Sequence, residues 1–75
     1  MKRVYVTEGG YFNKYGQFWG DGILGVDKNP KLAVSFPIKR GCYRHQVKID
    51  DLGFVIIYKS SFSDRGYRVS SIDEY

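Results

Sequence analysis

The chain is 75 residues long, 43% hydrophobic and 17% aromatic, and it carries a formal net charge of +4. This length allows one domain, over residues 1–75, and a core too small to wall a deep cleft between two lobes. The apolar content is sufficient for a packed core and excludes an intrinsically disordered chain. Helix formers are scarce, with a single alanine, whereas the abundant β-branched and aromatic residues favour strands.

Alternating apolar and polar residues, interrupted by Gly, Pro, Asn and Asp, predict short strands separated by turns. In chain order, the predicted strands cover residues 2–7, 17–19, 23–26, 32–36, 42–49, 54–58 and 67–70. The aromatic, glycine-rich segment 11–16 is predicted to be a loop or an irregular hairpin, residues 27–30 a turn, and Pro37 the end of a strand or a sheet edge. The acidic residues 71–75 are expected to form a frayed tail.

The strand predicted over 42–49 separates polar from apolar side chains. One face would carry Tyr43, His45, Val47 and Ile49, and the other Cys42, Arg44, Gln46 and Lys48. We therefore expect its cations on one wet face and its apolar residues beneath them. The next strand, 54–58, is apolar on both faces and is predicted to be the most buried, after a tight hairpin with Gly53 at positive φ.

The fold class predicted from these elements is all-β. We expect a small, single-domain curled antiparallel sheet, or an SH3-like or OB-like barrel, of five to six short strands. The lone cysteine, Cys42, cannot form an internal disulfide, and the longest apolar run, 54–58, is far too short to span a bilayer. These two features predict a cytoplasmic protein with no membrane partner.

The sequence contains no convincing catalytic or metal-binding set. Residues 20–25 match the pattern G-x-G-x-x-G, but turn residues and a proline follow where a dinucleotide site needs a helix. Cys42 and His45 would point to opposite faces of one strand, and the acids Asp50 and Asp51 open a turn. We therefore predict a protein that is not an enzyme and has no cofactor and no metal site.

The most informative feature is a basic middle third. Residues 28–48 carry six cations and no acid, next to the aromatic segment 11–19. Cations that neutralise phosphates release condensed counterions, and exposed rings can stack on bases, so this pattern favours a nucleic-acid-binding module. The predicted binding residues are Lys39, Arg40, Arg44, Lys48, Tyr15, Phe18 and Trp19.

The alternative is a protein-binding module. Aromatic residues and arginine are frequent anchors at protein interfaces, and a positive patch would steer the chain to an acidic protein surface. A small open sheet also has edges that can accept a strand, including one from a second copy in a homodimer. On this hypothesis the chain would be a phage- or plasmid-type accessory protein that inhibits a host factor.

Overall fold

The described part of the chain forms five strands and one helix. The computed structural model describes residues 2–51 and 53–74. In chain order the elements are β1 (Lys2–Phe12), β2 (Phe18–Asp27), α1 (Pro30–Lys39), β3 (Cys42–Asp50), β4 (Gly53–Ser60) and β5 (Arg65–Glu74). No helix within the described residues is long and apolar enough to cross a membrane.

All five strands belong to one antiparallel sheet of order β2-β1-β5-β4-β3. A β1–β2 hairpin and a β3–β4–β5 meander meet where β1 pairs with β5, and α1 carries the chain from one edge of the sheet to the other. A small, mostly β domain with an antiparallel sheet is therefore confirmed. Over the described residues β2 and β3 are open edges, so the sheet does not close into a barrel.

The prediction of a strand over 32–36 is wrong, because this segment lies within α1. The Asn29 side chain caps the helix by accepting a hydrogen bond from the Lys31 N–H at 2.9 Å, and Pro30 occupies the first turn, where a missing N–H costs little. Ala33 and Pro37, four residues apart, form the buried stripe. Pro37 therefore lies inside a helix and does not end a strand.

Several strand boundaries also differ from the sequence predictions. β1 continues through Gly9 and Gly10 to Phe12, and β2 is one strand, with two register shifts where it pairs with β1, rather than two strands around a turn. The segment expected to fray is paired with β1 as far as Glu74. Gly53 has the expected positive φ, at 143°.

The helix covers one face of the sheet, here called the covered face, and leaves the opposite, open face without a helix. The sheet side chains on the covered face include Tyr5, Thr7, Phe54, Ile56, Tyr58, Tyr67 and Val69. Tyr58 and Val69 are completely buried there, together with Ala33 of the helix. The prediction that residues 54–58 form the most buried strand is nevertheless wrong, because β4 has two buried residues, Ile56 and Tyr58, whereas β1 has six and is buried on both faces of the sheet. The alternate residues of β1, which include Val4 and Val6, lie on the open face and are also buried.

Truncating the core residue Ile56 tests this arrangement. Ile56 is 6% exposed, packed in the cluster beneath α1, so we expect Ile56→Ala to lower the free energy of unfolding by about 2–5 kcal/mol. Ile49 is 73% exposed on β3, so Ile49→Ala should change it by about 0.5 kcal/mol or less. Urea unfolding of both variants measures the difference, and equal losses would contradict the assigned core.

Candidate nucleic-acid interface

Three chain connections lie side by side at one end of the sheet. The Phe12 N–H donates to the Asp64 carbonyl at 2.7 Å, and the Ser61 N–H donates to the Gly41 carbonyl at 3.2 Å. These bonds join the β1–β2 connection and the segment after α1 to the β4–β5 turn. The strand ends at this side therefore bring together residues that are distant in sequence.

This end of the molecule holds the whole net charge of the chain. We define the cationic end as residues 9–22, 39–45 and 58–67, which are the strand ends at this side of the sheet together with their connections. Its six cations are Lys14, Lys39, Arg40, Arg44, Lys59 and Arg65. Its two acids are Asp21 and Asp64. The remaining residues carry six cations and six acids, so the formal charge of +4 lies at the cationic end.

Most of these charges have no ionic partner. The Arg65 guanidinium lies 3.3 Å from the Asp21 carboxylate, and within the described residues this is the ion pair that the cationic end contains. Five of its six cations are thus available to a ligand. The pairs Arg3–Asp73 and Arg68–Glu8 lie elsewhere on the sheet, where they neutralise charges outside the cationic end.

Arg40 is held in place by the helix that it follows. Its guanidinium carbon lies 3.6 Å from the centroid of the Phe36 ring, and its Nη1 donates to the Phe36 carbonyl at 3.2 Å. This stacking and hydrogen bond restrict the side chain at the end of α1 while leaving it exposed. Its charge is thereby fixed at the junction between α1 and β3.

Six of the seven predicted binding residues lie at the cationic end. Tyr15 is in the β1–β2 connection, Phe18 and Trp19 begin β2, Lys39 ends α1, Arg40 follows it, and Arg44 is on β3. Trp19 and Arg44 belong to opposite edge strands of the sheet. The predicted residues therefore flank the cationic end from both sides rather than forming one contiguous patch on β3.

Lys48 is the exception, because it lies near the opposite end of β3. The expectation that it shares a face with Arg44 is also wrong. Arg44 pairs with Tyr58 and Gln46 pairs with Ile57, so one extra residue is inserted at His45. A bulge of this kind reverses the alternation of the strand beyond it. Lys48 therefore lies on the open face with Gln46, Val55 and Ile57, around a shallow groove, while Arg44 lies on the covered side.

The prediction of a buried apolar face on β3 is wrong for the same reason, and because β3 is an edge strand. Tyr43 is on the open face, whereas Val47 and Ile49 pair with core residues of β4 on the covered face. All three remain close to half exposed or more. Among the residues of β3, it is Cys42, at the start of the strand, that is buried beneath α1.

The lone thiol and the lone imidazole have separate surroundings. Burial raises the pKa of the Cys42 thiol, and the positive charge of Arg40 opposes this effect. His45 instead contacts the Phe12 ring on the open face. The thiol is thus a neutral packing group. The G-x-G-x-x-G match at residues 20–25 lies within β2 rather than before a helix, so it lacks the helix N-terminus that a dinucleotide site uses.

Four rings form a line across the open face of the cationic end, here called the aromatic row: Phe18, Phe12, His45 and Tyr43. Successive ring centroids are 5.5, 5.2 and 6.4 Å apart, and each contact is edge to face. Phe12 and His45 belong to strands separated by two others, about 14 Å apart on a flat sheet. Their contact therefore requires both rings to lean together over a sheet that bends towards this face.

Two glycines make room for this line of rings. A Cβ atom at Gly66 would lie 2.5 Å from the Phe12 ring, and one at Gly10 would lie 2.7 Å from the Phe18 ring. A Cβ atom at Gly10 would also overlap the Trp19 carbonyl, and one at Gly66 would lie 2.5 Å from the Tyr58 carbonyl, so any other residue would displace the neighbouring strands as well as the rings. The Lys59 Nζ lies 5.5 Å from the centroid of Phe12, which adds an unpaired cation to the row.

Sequence reasoning missed part of this site. Lys14, Lys59 and Arg65 were not singled out, nor were the exposed rings of Tyr43 and Phe62. The basic middle third is a stretch of consecutive residues, whereas an antiparallel sheet brings together the ends of alternate strands. Pairing the predicted strand ends would have indicated Lys59 and Arg65 as neighbours of the predicted residues.

No family model, curated protein or solved structure matches this chain. Within the described residues, no three His, Cys, Asp or Glu side chains lie together as metal ligands would. The candidate site therefore rests on its own geometry, which is a positive end with exposed rings.

Substituting Gly66 tests the packing of the aromatic row. In Gly66→Ala the new methyl group would clash with the Phe12 ring and with the Tyr58 carbonyl, both at 2.5 Å, and should cost about 1–3 kcal/mol. Gly22→Ala is the matched control, because nothing lies within 4 Å of its Cβ position. Thermal unfolding compares them, and a Gly66→Ala protein as stable as Gly22→Ala would contradict the packing described.

Proposed function

We propose that this chain is a non-enzymatic module that binds nucleic acid through its cationic end. The observation that carries the proposal is that the whole net charge lies at the end that also holds the aromatic row. A polyanion gains from such a surface because each neutralised phosphate releases counterions. The absence of catalysis and a cytoplasmic location remain predictions.

The arrangement of the cations supports contact with a phosphate chain rather than a single anion. Lys39 and Arg40 end α1, Arg44 is on β3 and Lys59 is on the neighbouring strand β4, so the charges are spread over several elements and both sides of the sheet. A single small anion needs converging donors, whereas a backbone carries charges at regular intervals. This spread therefore favours an extended ligand.

A protein ligand is the second candidate, and the edge strand β2 favours it. Trp19, Ile23, Leu24 and Val26 are each more than half exposed on this strand. An exposed apolar edge can accept a partner strand, and the positive end could guide the chain to an acidic protein surface. This candidate would be favoured if the wild-type chain retains a protein partner after nuclease treatment and a variant with substitutions in β2 does not.

Removing charge from the cationic end should weaken binding and its dependence on salt. We expect the triple variant Lys39→Gln/Arg40→Gln/Arg44→Gln to bind a labelled oligonucleotide more weakly, because up to three phosphates are then no longer neutralised. The slope of log affinity against log salt should become shallower by roughly 0.7–0.9 for each such phosphate. Fluorescence anisotropy, followed over a series of salt concentrations, measures both changes.

The matched control removes the same charge elsewhere. Lys28, Lys31 and Lys48 lie outside the cationic end, so Lys28→Gln/Lys31→Gln/Lys48→Gln should retain most of the affinity and of the slope. If both triple variants lose affinity equally, only the net charge matters and the proposed site is wrong. If the wild-type chain binds neither single-stranded nor duplex nucleic acid at low salt, the proposed function fails.

A further inference from the structure

Three rings of the aromatic row are accessible to solvent, which a cluster that only stabilises the fold would not need. Phe12 is 5% exposed and lies buried beneath the other rings. Tyr43 is 46% exposed, His45 is exposed and Phe18 is half-buried. The helix packs on the other face of the sheet. Three rings of the row therefore present surface to solvent on a face that no described element covers.

The edge-to-face contacts hold these rings in a defined orientation. Phe18 meets Phe12 at 66°, and His45 meets Phe12 at 78°. An edge-to-face contact occupies the edge of one ring and one face of the other, so each of these rings retains a face that the contact does not cover. Phe18 and His45 are thus held by Phe12, and Tyr43 by His45, before any ligand arrives, which limits the entropy lost on binding.

Two cations lie beside the row, and one of them, Lys59, is available to a phosphate group. Arg68 lies 5.5 Å from the centroid of Phe18, but it is held by two hydrogen bonds to Glu8, of 2.9 and 2.8 Å, and so is already neutralised. Lys59 lies over Phe12 and forms no ion pair with the described residues. A nucleotide whose base lies on a neighbouring ring would place its phosphate within reach of Lys59.

We propose that the aromatic row is a stacking platform for unpaired bases, so that the chain selects single-stranded over duplex nucleic acid; this rests on the proposed function. In a duplex the faces of the bases are covered by neighbouring base pairs, and only phosphates and groove edges are available. In a single strand each base can leave its neighbours and stack on a side chain. Tyr43 and His45, the exposed rings of the row, would accept up to two bases, because Phe18 is half-buried and carries the Arg68 guanidinium over its ring.

The experiment compares two probes on the same protein. Anisotropy is measured with a fluorescein-labelled oligothymidine of ten nucleotides and with a labelled mixed-sequence duplex of twenty base pairs, both at low salt. We expect the single strand to bind at least tenfold more tightly than the duplex. Equal or tighter binding of the duplex would overturn the inference and leave the proposed function standing, whereas binding of neither probe would remove both.

Variants of the exposed ring at the end of the row supply the second test. Tyr43→Ala should weaken single-strand binding by about 5- to 150-fold, the loss expected for one stacking ring, and should leave duplex binding unchanged. Tyr43→Phe keeps the ring and should keep the affinity. Ile49→Ala is the control, because Ile49 is 73% exposed on the same edge strand but outside the cationic end.

The pattern across these variants decides the outcome without relying on one substitution. If Ile49→Ala weakens single-strand binding as much as Tyr43→Ala does, the row has no special part and the inference is wrong. If Tyr43→Ala weakens both probes equally, Tyr43 acts on the surface as a whole and stacking is excluded. His45→Ala provides an independent ring for the same comparison, since His45 is an exposed residue of the edge strand.

Discussion

The antiparallel pairing of β1 with β5 is the constraint on which the rest of the structure depends. It extends from Lys2 opposite Glu74 to Tyr11 opposite Arg65, and it joins the β1–β2 hairpin to the β3–β4–β5 meander. Because neighbouring strands are antiparallel, the β1–β2 connection, the β4–β5 turn and the segment after α1 lie at the same end. The same pairing sets which side chains of both halves face the helix and which face the open side.

The accumulation of charge at one end follows from this topology. The cations of the basic middle third are divided by it: Lys39, Arg40 and Arg44 lie at the cationic end, whereas Lys28, Lys31 and Lys48 lie outside it, in the part of the chain whose charges balance. Like charges held close together repel each other and destabilise the folded chain modestly. A bound polyanion would relieve this repulsion, so binding and folding should reinforce each other.

The sequence predicted much of the fold and less of the site. Alternation located β3 and β4 well, because their apolar and polar residues follow the sheet period over many positions. The alternation of Leu32, Val34 and Phe36 predicts a strand over 32–36, and Asn29 followed by Pro30 predicts a turn. In the structure Asn29 instead caps α1, which contains this segment. The segment is helical because Ala33 and Pro37, four residues apart, are then both buried against the sheet.

The bulge at His45 could not be predicted from the strand itself. The residues on either side alternate without interruption in the sequence, and the extra residue becomes apparent only when β3 is paired with β4. Its effect on the candidate site is large, because it places Lys48 and Arg44 on opposite faces of the sheet. The aromatic row likewise depends on the long-range contact between β1 and β3, which local patterns do not encode.

The most direct test of the account is to map the surface that a single-stranded oligonucleotide touches, by following the backbone amide signals of the isotope-labelled chain during a titration in nuclear magnetic resonance spectroscopy. The account predicts that the largest shifts fall within residues 12–19, 39–45 and 58–62, with residues 26–31 and 48–51 little changed. Shifts concentrated in the latter two segments, or spread evenly over the chain, would contradict a binding site at the cationic end.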